Sequence, residues 1–282
     1  MVDFQVDKRE AVGLINRPQT YVFDLDGVIY RGNEPQPHAS ETVAHLRHRG
    51  NKVFFYTNNA TRSRKDYQDK LQGMDIQCQP EEIMTSAYAT ALFLRESGKT
   101  RIQAYVVGEA GLIQELESAD VEVLRNGSVG KVDYVIAGLD RQFNYDKLTN
   151  AQQAILAGAK FIATNRDATF PIEEGVVIPG GGAIVSAIET ASGQTPFVIG
   201  KPETYALEKI IKIAGGSSEL TVVVGDRLET DILVGNRVGA HTVMVTTGIS
   251  TREDAETAPL ELKPEIIIDD LIELLNISWS EQ

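Results

Sequence analysis

The stretch Tyr21-Val22-Phe23-Asp24-Leu25-Asp26-Gly27 sets two carboxylates, one residue apart, at the end of an apolar run. Tyr21 to Phe23 reads as a buried strand, closed by the turn former Gly27. A carboxylate is costly inside a parallel sheet, so both acids belong at the strand's carboxyl end, where open α/β sheets bind ligands. Side by side they repel unless a cation sits between them. The spacing points to a magnesium site, and with it a nucleophile beside an acid/base. A strand end followed by an ordinary Asp-Gly turn accounts for the same residues. The rest of the chain has to separate the two.

At 282 residues the chain suits one large domain or two smaller ones. Its 42% apolar and 24% charged residues are ordinary for a soluble globular protein. No apolar stretch approaches the roughly 18 residues of a membrane span. Met1 to Glu10 carries acids and no apolar core, so it does not read as a secretory signal. Cys78 is the only cysteine, which excludes an internal disulfide and a cysteine-built zinc site and fits a reducing cytoplasm. The net charge of -13 argues against general nucleic-acid affinity, which needs lysine and arginine to neutralise phosphates. An anionic substrate stays open, because a pocket's local charge can oppose the global sign. A cytoplasmic protein with no nucleic-acid or membrane partner is expected.

Short apolar runs alternate with amphipathic stretches, the pattern of a parallel α/β architecture. Strands are expected at 21–23, 52–56, 105–107, 134–137, 161–163, 197–199, 221–224 and 242–245. Helices are expected at 40–48, 64–71, 87–96, 111–118, 147–157, 183–191, 204–214 and 230–239, then a strand at 264–269 and a closing helix at 270–275. Ser97-Gly98-Lys99 and Gly193-Gln194-Thr195-Pro196 bracket a second βα series without a long linker. Residues 99–195 therefore read as a domain inserted between core segments 1–98 and 196–282. The small basic clusters Arg47-His48-Arg49 and Arg62-Ser63-Arg64-Lys65 read as solvated helix ends.

Three further strand ends carry polar residues suited to phosphate. Thr57-Asn58-Asn59 follows 52–56, and its hydroxyl, amides and backbone N–H groups can hold phosphoryl oxygens, although for this segment alone helix capping is the favoured reading. Gly200-Lys201-Pro202 follows 197–199, and Lys201 can supply a positive charge to a phosphate or to crowded carboxylates. Pro202 would suit the first turn of the next helix. The segment is not a Walker A loop, since Thr195 stands where its first glycine belongs and Pro202 replaces the hydroxyl residue. Asp226 ends the strand 221–224, and Asp231 opens the next helix either as a simple N-cap or as a functional acid. His38, His45, His48 and His241 lack metal-ligand spacing and read as surface or core residues. Gly180-Gly181-Gly182 reads as a tight helix entry, and Trp279 as a tail residue docked on the core.

In this order, FDLDG at 23–27, TNN at 57–59, GKP at 200–202 and GDRLETD at 225–231, the chain resembles the haloacid dehalogenase superfamily of phosphohydrolases. The resemblance implies a Rossmann-like parallel-sheet core with an inserted α/β cap domain, and it covers nearly the whole chain. It also implies roles. Asp24 attacks phosphorus and becomes an aspartyl phosphate, and Asp26 protonates the leaving oxygen and then activates water. Thr57, Asn58, Asn59 and Lys201 bind the transferring phosphoryl. Asp226, the Asp24 side chain and the Asp26 carbonyl hold Mg²⁺, and Asp231 holds metal-bound water. Such an assignment is sound electrostatically, because a metal and a lysine must offset roughly three to four negative charges at close range.

Gly138-Leu139-Asp140-Arg141, Phe161-Ile162-Ala163-Thr164-Asn165-Arg166-Asp167 and Pro179-Gly180-Gly181-Gly182 are similar to the cap of the NagD, p-nitrophenyl phosphatase and phosphoglycolate phosphatase branch. Asn165, Arg166 and Asp167 are the candidate substrate contacts of that cap, or residues that shape a turn between its strands. The expected activity is hydrolysis of a small phosphorylated metabolite, such as 2-phosphoglycolate or a p-nitrophenyl phosphate-like ester. Nucleotide, sugar-phosphate and pyridoxal-phosphate phosphatases share the scaffold, and a non-catalytic phospho-ligand-binding regulator is the alternative from another class. A homodimer is the assembly the resemblance implies.

Overall fold

The computed structural model describes residues 18–125, 130–171 and 177–279, so the reading of Met1 to Glu10 falls outside it. It divides into two compact units, Met1–Phe55 with Leu207–Gln282, and Tyr56–Ala206. β1 (Thr20–Phe23), the short pair β2 (Tyr30–Arg31) and β3 (Glu34–Pro35), and the first four residues of β4 (Lys52–Thr57) open the first unit. β5 (Ile83–Thr85), β6 (Ile102–Val107), β7 (Val121–Leu124), β8 (Tyr134–Ala137), β9 (Lys160–Ala163), β10 (Thr169–Pro171), β11 (Val177–Pro179) and β12 (Phe197–Val198) belong to the second. β13 (Thr221–Gly225), β14 (His241–Val245) and β15 (Ile266–Ile268) return the chain to the first.

In the first unit the parallel order is β15-β14-β13-β1-β4, so the strand with the paired acids is central. Phe23 lies opposite Val224 on one side and Phe55 on the other. Val22, Phe23, Phe55, Val223 and Val224 are all buried, as expected where helices cover both faces of a parallel sheet. Burial of each such side chain is worth about 1.5–3 kcal/mol. At the end of β1 the Asp24 N–H still donates to the Val224 carbonyl at 2.9 Å, and the chain then leaves the sheet. The ring of Trp279 packs 4.9 Å from that of His241, as its reading as a docked tail residue requires.

The second unit is built on a parallel sheet in the order β12-β9-β8-β6-β7. The chain passes from β6 through helix Ala110–Glu117 to β7 on one side, and from β8 through helix Tyr145–Leu156 to β9 on the other. Strand order thus reverses between β6 and β8, the place where such sheets open a crevice. Tyr105, Val107, Val135, Ala137, Phe161, Val185 and Ile188 form its core.

At the start of that sheet the Asp133 carboxylate accepts from Lys99 Nζ and, at 3.0 Å, from the Gln103 N–H. These hydrogen bonds hold its pKa below the ordinary value of 3.8. A depressed carboxylate contributes stability above its unfolded pKa and loses it as pH falls. Asp133→Asn should therefore lower the melting temperature at pH 7, and the gap to wild type should close below about pH 4. Parallel thermal melts across pH check this.

The expected strands and helices are present, with differences that have local causes. Pro202 does not open a helix, because the next one begins at Tyr205. Asp231 is not an N-cap. It sits inside a wide five-residue turn, Leu228–Ile232, ahead of helix Leu233–Val238. Thr57 and Asn59 do not cap the following helix either; Ser63 does, in a capping box with Asp66. Of the basic clusters, Arg64 is not a solvated end. It pairs with Glu115 at 3.2 Å and lies 3.4 Å from the centre of the Tyr88 ring.

Candidate active site

In the first unit each acid is set by the strand before it. Asp24 follows β1, and Asp226 follows β13. Asp24, Asp226 and Asp231 bring carboxylate oxygens within 4.8 Å of one another, the sole such group of potential ligands among the described residues. Asp226 and Asp231 are buried. Three carboxylates so close repel strongly, and an all-oxygen donor set matches a hard divalent cation such as Mg²⁺ or Ca²⁺. The residues therefore fit the metal that the motif order implies.

Asp231 reaches this position through the wide turn, a rare form that recurs at functional sites. Its Oδ2 accepts from the Arg227 N–H at 3.2 Å. Asp226 is fixed by a loop that sequence reasoning passed over. The Ile249 N–H donates to its Oδ2 at 2.8 Å, the Ser250 N–H donates to its carbonyl at 2.9 Å, and Thr247 Oγ1 donates to the Gly27 carbonyl at 2.6 Å. That loop, Thr246 to Ser250, follows the carboxyl end of β14. The rule that found the other motifs, polar residues at a strand end, would have found it too. Asp26 bridges to Tyr30, and the adjoining Gly27 N–H donates to the Tyr30 carbonyl at 2.8 Å, which folds the segment after β1 into a tight turn.

Thr57, Asn58, Asn59 and Lys201 all belong to the second unit. Thr57 Oγ1 accepts from the Asn59 N–H at 3.1 Å, and Asn59 Oδ1 accepts from the Thr61 N–H at 2.8 Å. These are local side-chain turns that fix the loop after β4. Lys201 is buried, and its Nζ donates to the Tyr56 carbonyl at 3.2 Å. Asn58, Asn165 and Asp167 are joined by hydrogen bonds, whereas Arg166 turns away to pair with Glu189 at 2.6 Å.

A cleft of about 670 Å³ opens in this unit at the reversal between β6 and β8. Glu109 pairs with Arg141 there at 2.6 Å, and Lys147 pairs with the buried Asp140, also at 2.6 Å. Gln142 and Asn144 add amides to the lining. Such a cleft suits a small, hydroxyl-rich molecule, which can bond to both members of each ion pair.

Residues 21–122 match the model of the haloacid dehalogenase-like hydrolases, and residues 198–274 match a second model described as HAD-hydrolase-like. An acid sugar phosphatase of Staphylococcus epidermidis is 38% identical over 90% of this chain and 95% of its own. The p-nitrophenyl phosphatase of Archaeoglobus fulgidus superposes with a TM-score of 0.85 at 34% identity, over 92% of this chain and 99% of its own. The glycerol phosphate phosphatase of Mycobacterium tuberculosis, solved with magnesium, superposes with a TM-score of 0.84 at 31% identity, over 92% and 76%. The chain belongs to the haloacid dehalogenase-like hydrolases. Within them its likeness is to the NagD and p-nitrophenyl phosphatase members, and it is a phosphoric monoester hydrolase acting on small phosphorylated substrates. Among the described residues no helix is long and apolar enough to cross a membrane.

Proposed function

We propose that this phosphatase is a Mg²⁺-dependent phosphomonoesterase working in the cytoplasm, as a homodimer, through an aspartyl phosphate on Asp24. The observation that carries the reading is the cluster of Asp24, Asp226 and Asp231 at two neighbouring strand ends. Asp24 Oδ attacks phosphorus while the bond to the leaving oxygen breaks, and Asp26 delivers the proton that oxygen needs. Asp26 then takes a proton from water as the water attacks the phosphoryl group, which frees Asp24 and releases phosphate. Asp24, Asp226 and the Asp26 carbonyl would hold Mg²⁺, with Asp231 beside its bound water, and the ion supplies the charge that lets an anion attack an anion. Thr57, Asn58, Asn59 and Lys201 are assigned to the phosphoryl oxygens.

2-Phosphoglycolate and p-nitrophenyl phosphate are the first substrates to assay. A sugar or polyol phosphate is the second reading, favoured by the ion-paired cleft between Glu109 and Lys147 and by the activities named for the acid sugar and glycerol phosphate phosphatases. A panel of phosphate esters, with nucleoside monophosphates and pyridoxal 5′-phosphate added, decides it. Turnover is expected with Mg²⁺, to vanish in EDTA and to return when Mg²⁺ is restored. No turnover of any ester would favour a phospho-ligand-binding regulator.

A further inference from the structure

We infer that Asp167 and Asn165 are positioning residues that lock the Asn58 side chain, and through it the backbone of Lys201. Asn58 Oδ1 accepts from the Lys201 N–H at 2.8 Å while its Nδ2 donates to the Lys201 carbonyl at 3.0 Å. One carboxamide thus satisfies both backbone groups of one residue, and only one of its two flips can do so. The other flip would set nitrogen against nitrogen and oxygen against oxygen. Asp167 Oδ1 accepts from the same Nδ2 at 3.0 Å. An ionised carboxylate has only acceptors to offer, so it admits the productive flip and rejects the other.

The loop carrying Asp167 is held in turn. Asn165 Nδ2 donates to the Asn58 carbonyl at 2.8 Å, and Asn165 Oδ1 accepts from the Asp167 N–H at 3.1 Å. From behind, the Gly182 N–H donates to the Asp167 carbonyl at 2.9 Å, and a Cβ at Gly180 would lie 2.2 Å from that oxygen. The glycine run is therefore where helix Gly181–Ser192 backs onto this loop. A Cβ at Gly200 would likewise fall 2.5 Å from Asn58 Oδ1. Asn58 and Asn165 are buried, and the pairs they join lie over a hundred residues apart in the chain. The functional weight of the clamp rests on the reading of Lys201 as a phosphoryl-binding residue, since small displacements of such a group cost rate steeply.

Residue-resolved hydrogen exchange of the Lys201 amide tests the clamp without any substrate. Asp167→Ala and Asn165→Ala should each speed it by about tenfold or more, while the amides of Val222 to Val224 stay unchanged. Asp167→Asn keeps an oxygen that accepts from Nδ2 but adds a donor that tolerates the other flip, so its exchange should fall between wild type and Asp167→Ala. In turnover of p-nitrophenyl phosphate, Asp167→Ala should lower kcat and Asp167→Asn should recover part of it. Unchanged Lys201 exchange in either folded variant overturns the inference, as does faster exchange with kcat intact in an active enzyme. Exchange that rises equally at Val222 to Val224 is global opening and overturns it too. Faster Lys201 exchange in a protein whose wild type turns over no ester would uphold the clamp and sink the phosphatase mechanism instead.

Discussion

Asp24→Asn is expected to cut kcat by about 10⁴-fold or more while the fold stands. The substitution is nearly isosteric, and the Asp24 N–H, which donates to the Val224 carbonyl at 2.9 Å, is retained. What disappears is the nucleophile, since a neutral amide oxygen does not displace an alkoxide from phosphorus. One of the three crowded negative charges goes as well. In EDTA the variant should therefore melt no lower than wild type, because like-charge repulsion at the site falls. In Mg²⁺ it should gain less, because a ligand is missing and stabilisation by a ligand follows its affinity. Melts with and without Mg²⁺, run beside a p-nitrophenyl phosphate assay, read both halves. Full activity in the variant would remove Asp24 from the chemistry. A lower melting point in EDTA would mean that the carboxylate serves the fold instead.

Two acids of this cluster are legible because each ends the continuous apolar run of a buried strand, a signal confined to about five residues. Asp24 and Asp226 follow directly from that rule. Asp231 did not, because the wide turn Leu228–Ile232 is set by its packing against β13 and β14 and has no sequence signature of its own. β7, β10 and β11 escaped for a different reason: they are short and partly exposed, so their apolar residues are too few to show a period. Asn165 and Asp167 could be singled out, yet their task could not be read. Their partner Asn58 is 107 and 109 residues away, and nothing local in the sequence ties a cap loop to the TNN segment.

Gly27→Ala carries two penalties at one position, and a control separates them. Gly27 has φ +91°, a conformation that an added Cβ disfavours by about 1 kcal/mol. Its Cβ would also lie 2.5 Å from Asp226 Oδ2, 2.9 Å from Asp226 Cγ and 3.2 Å from Gly248 Cα. Asp226 cannot simply swing aside, because its Oδ2 accepts from the Ile249 N–H at 2.8 Å. Overpacking of that kind costs a further 1–3 kcal/mol or so. Gly50 has φ +86° and nothing within 4 Å of its would-be Cβ, so Gly50→Ala bears the backbone strain alone. Chemical denaturation should show Gly27→Ala to be the more destabilised by about 1–3 kcal/mol. The Mg²⁺ concentration for half-maximal turnover should rise by about tenfold in Gly27→Ala, a loss of roughly 1.4 kcal/mol, and stay at the wild-type value in Gly50→Ala. If the two variants behave alike, Gly27 is required by the turn after Asp26 and not by the carboxylate it faces. In that case the glycine of the FDLDG segment shapes only the exit of β1. If they differ as expected, the same glycine makes room for an acid two hundred residues later, and the first motif and the last are one device.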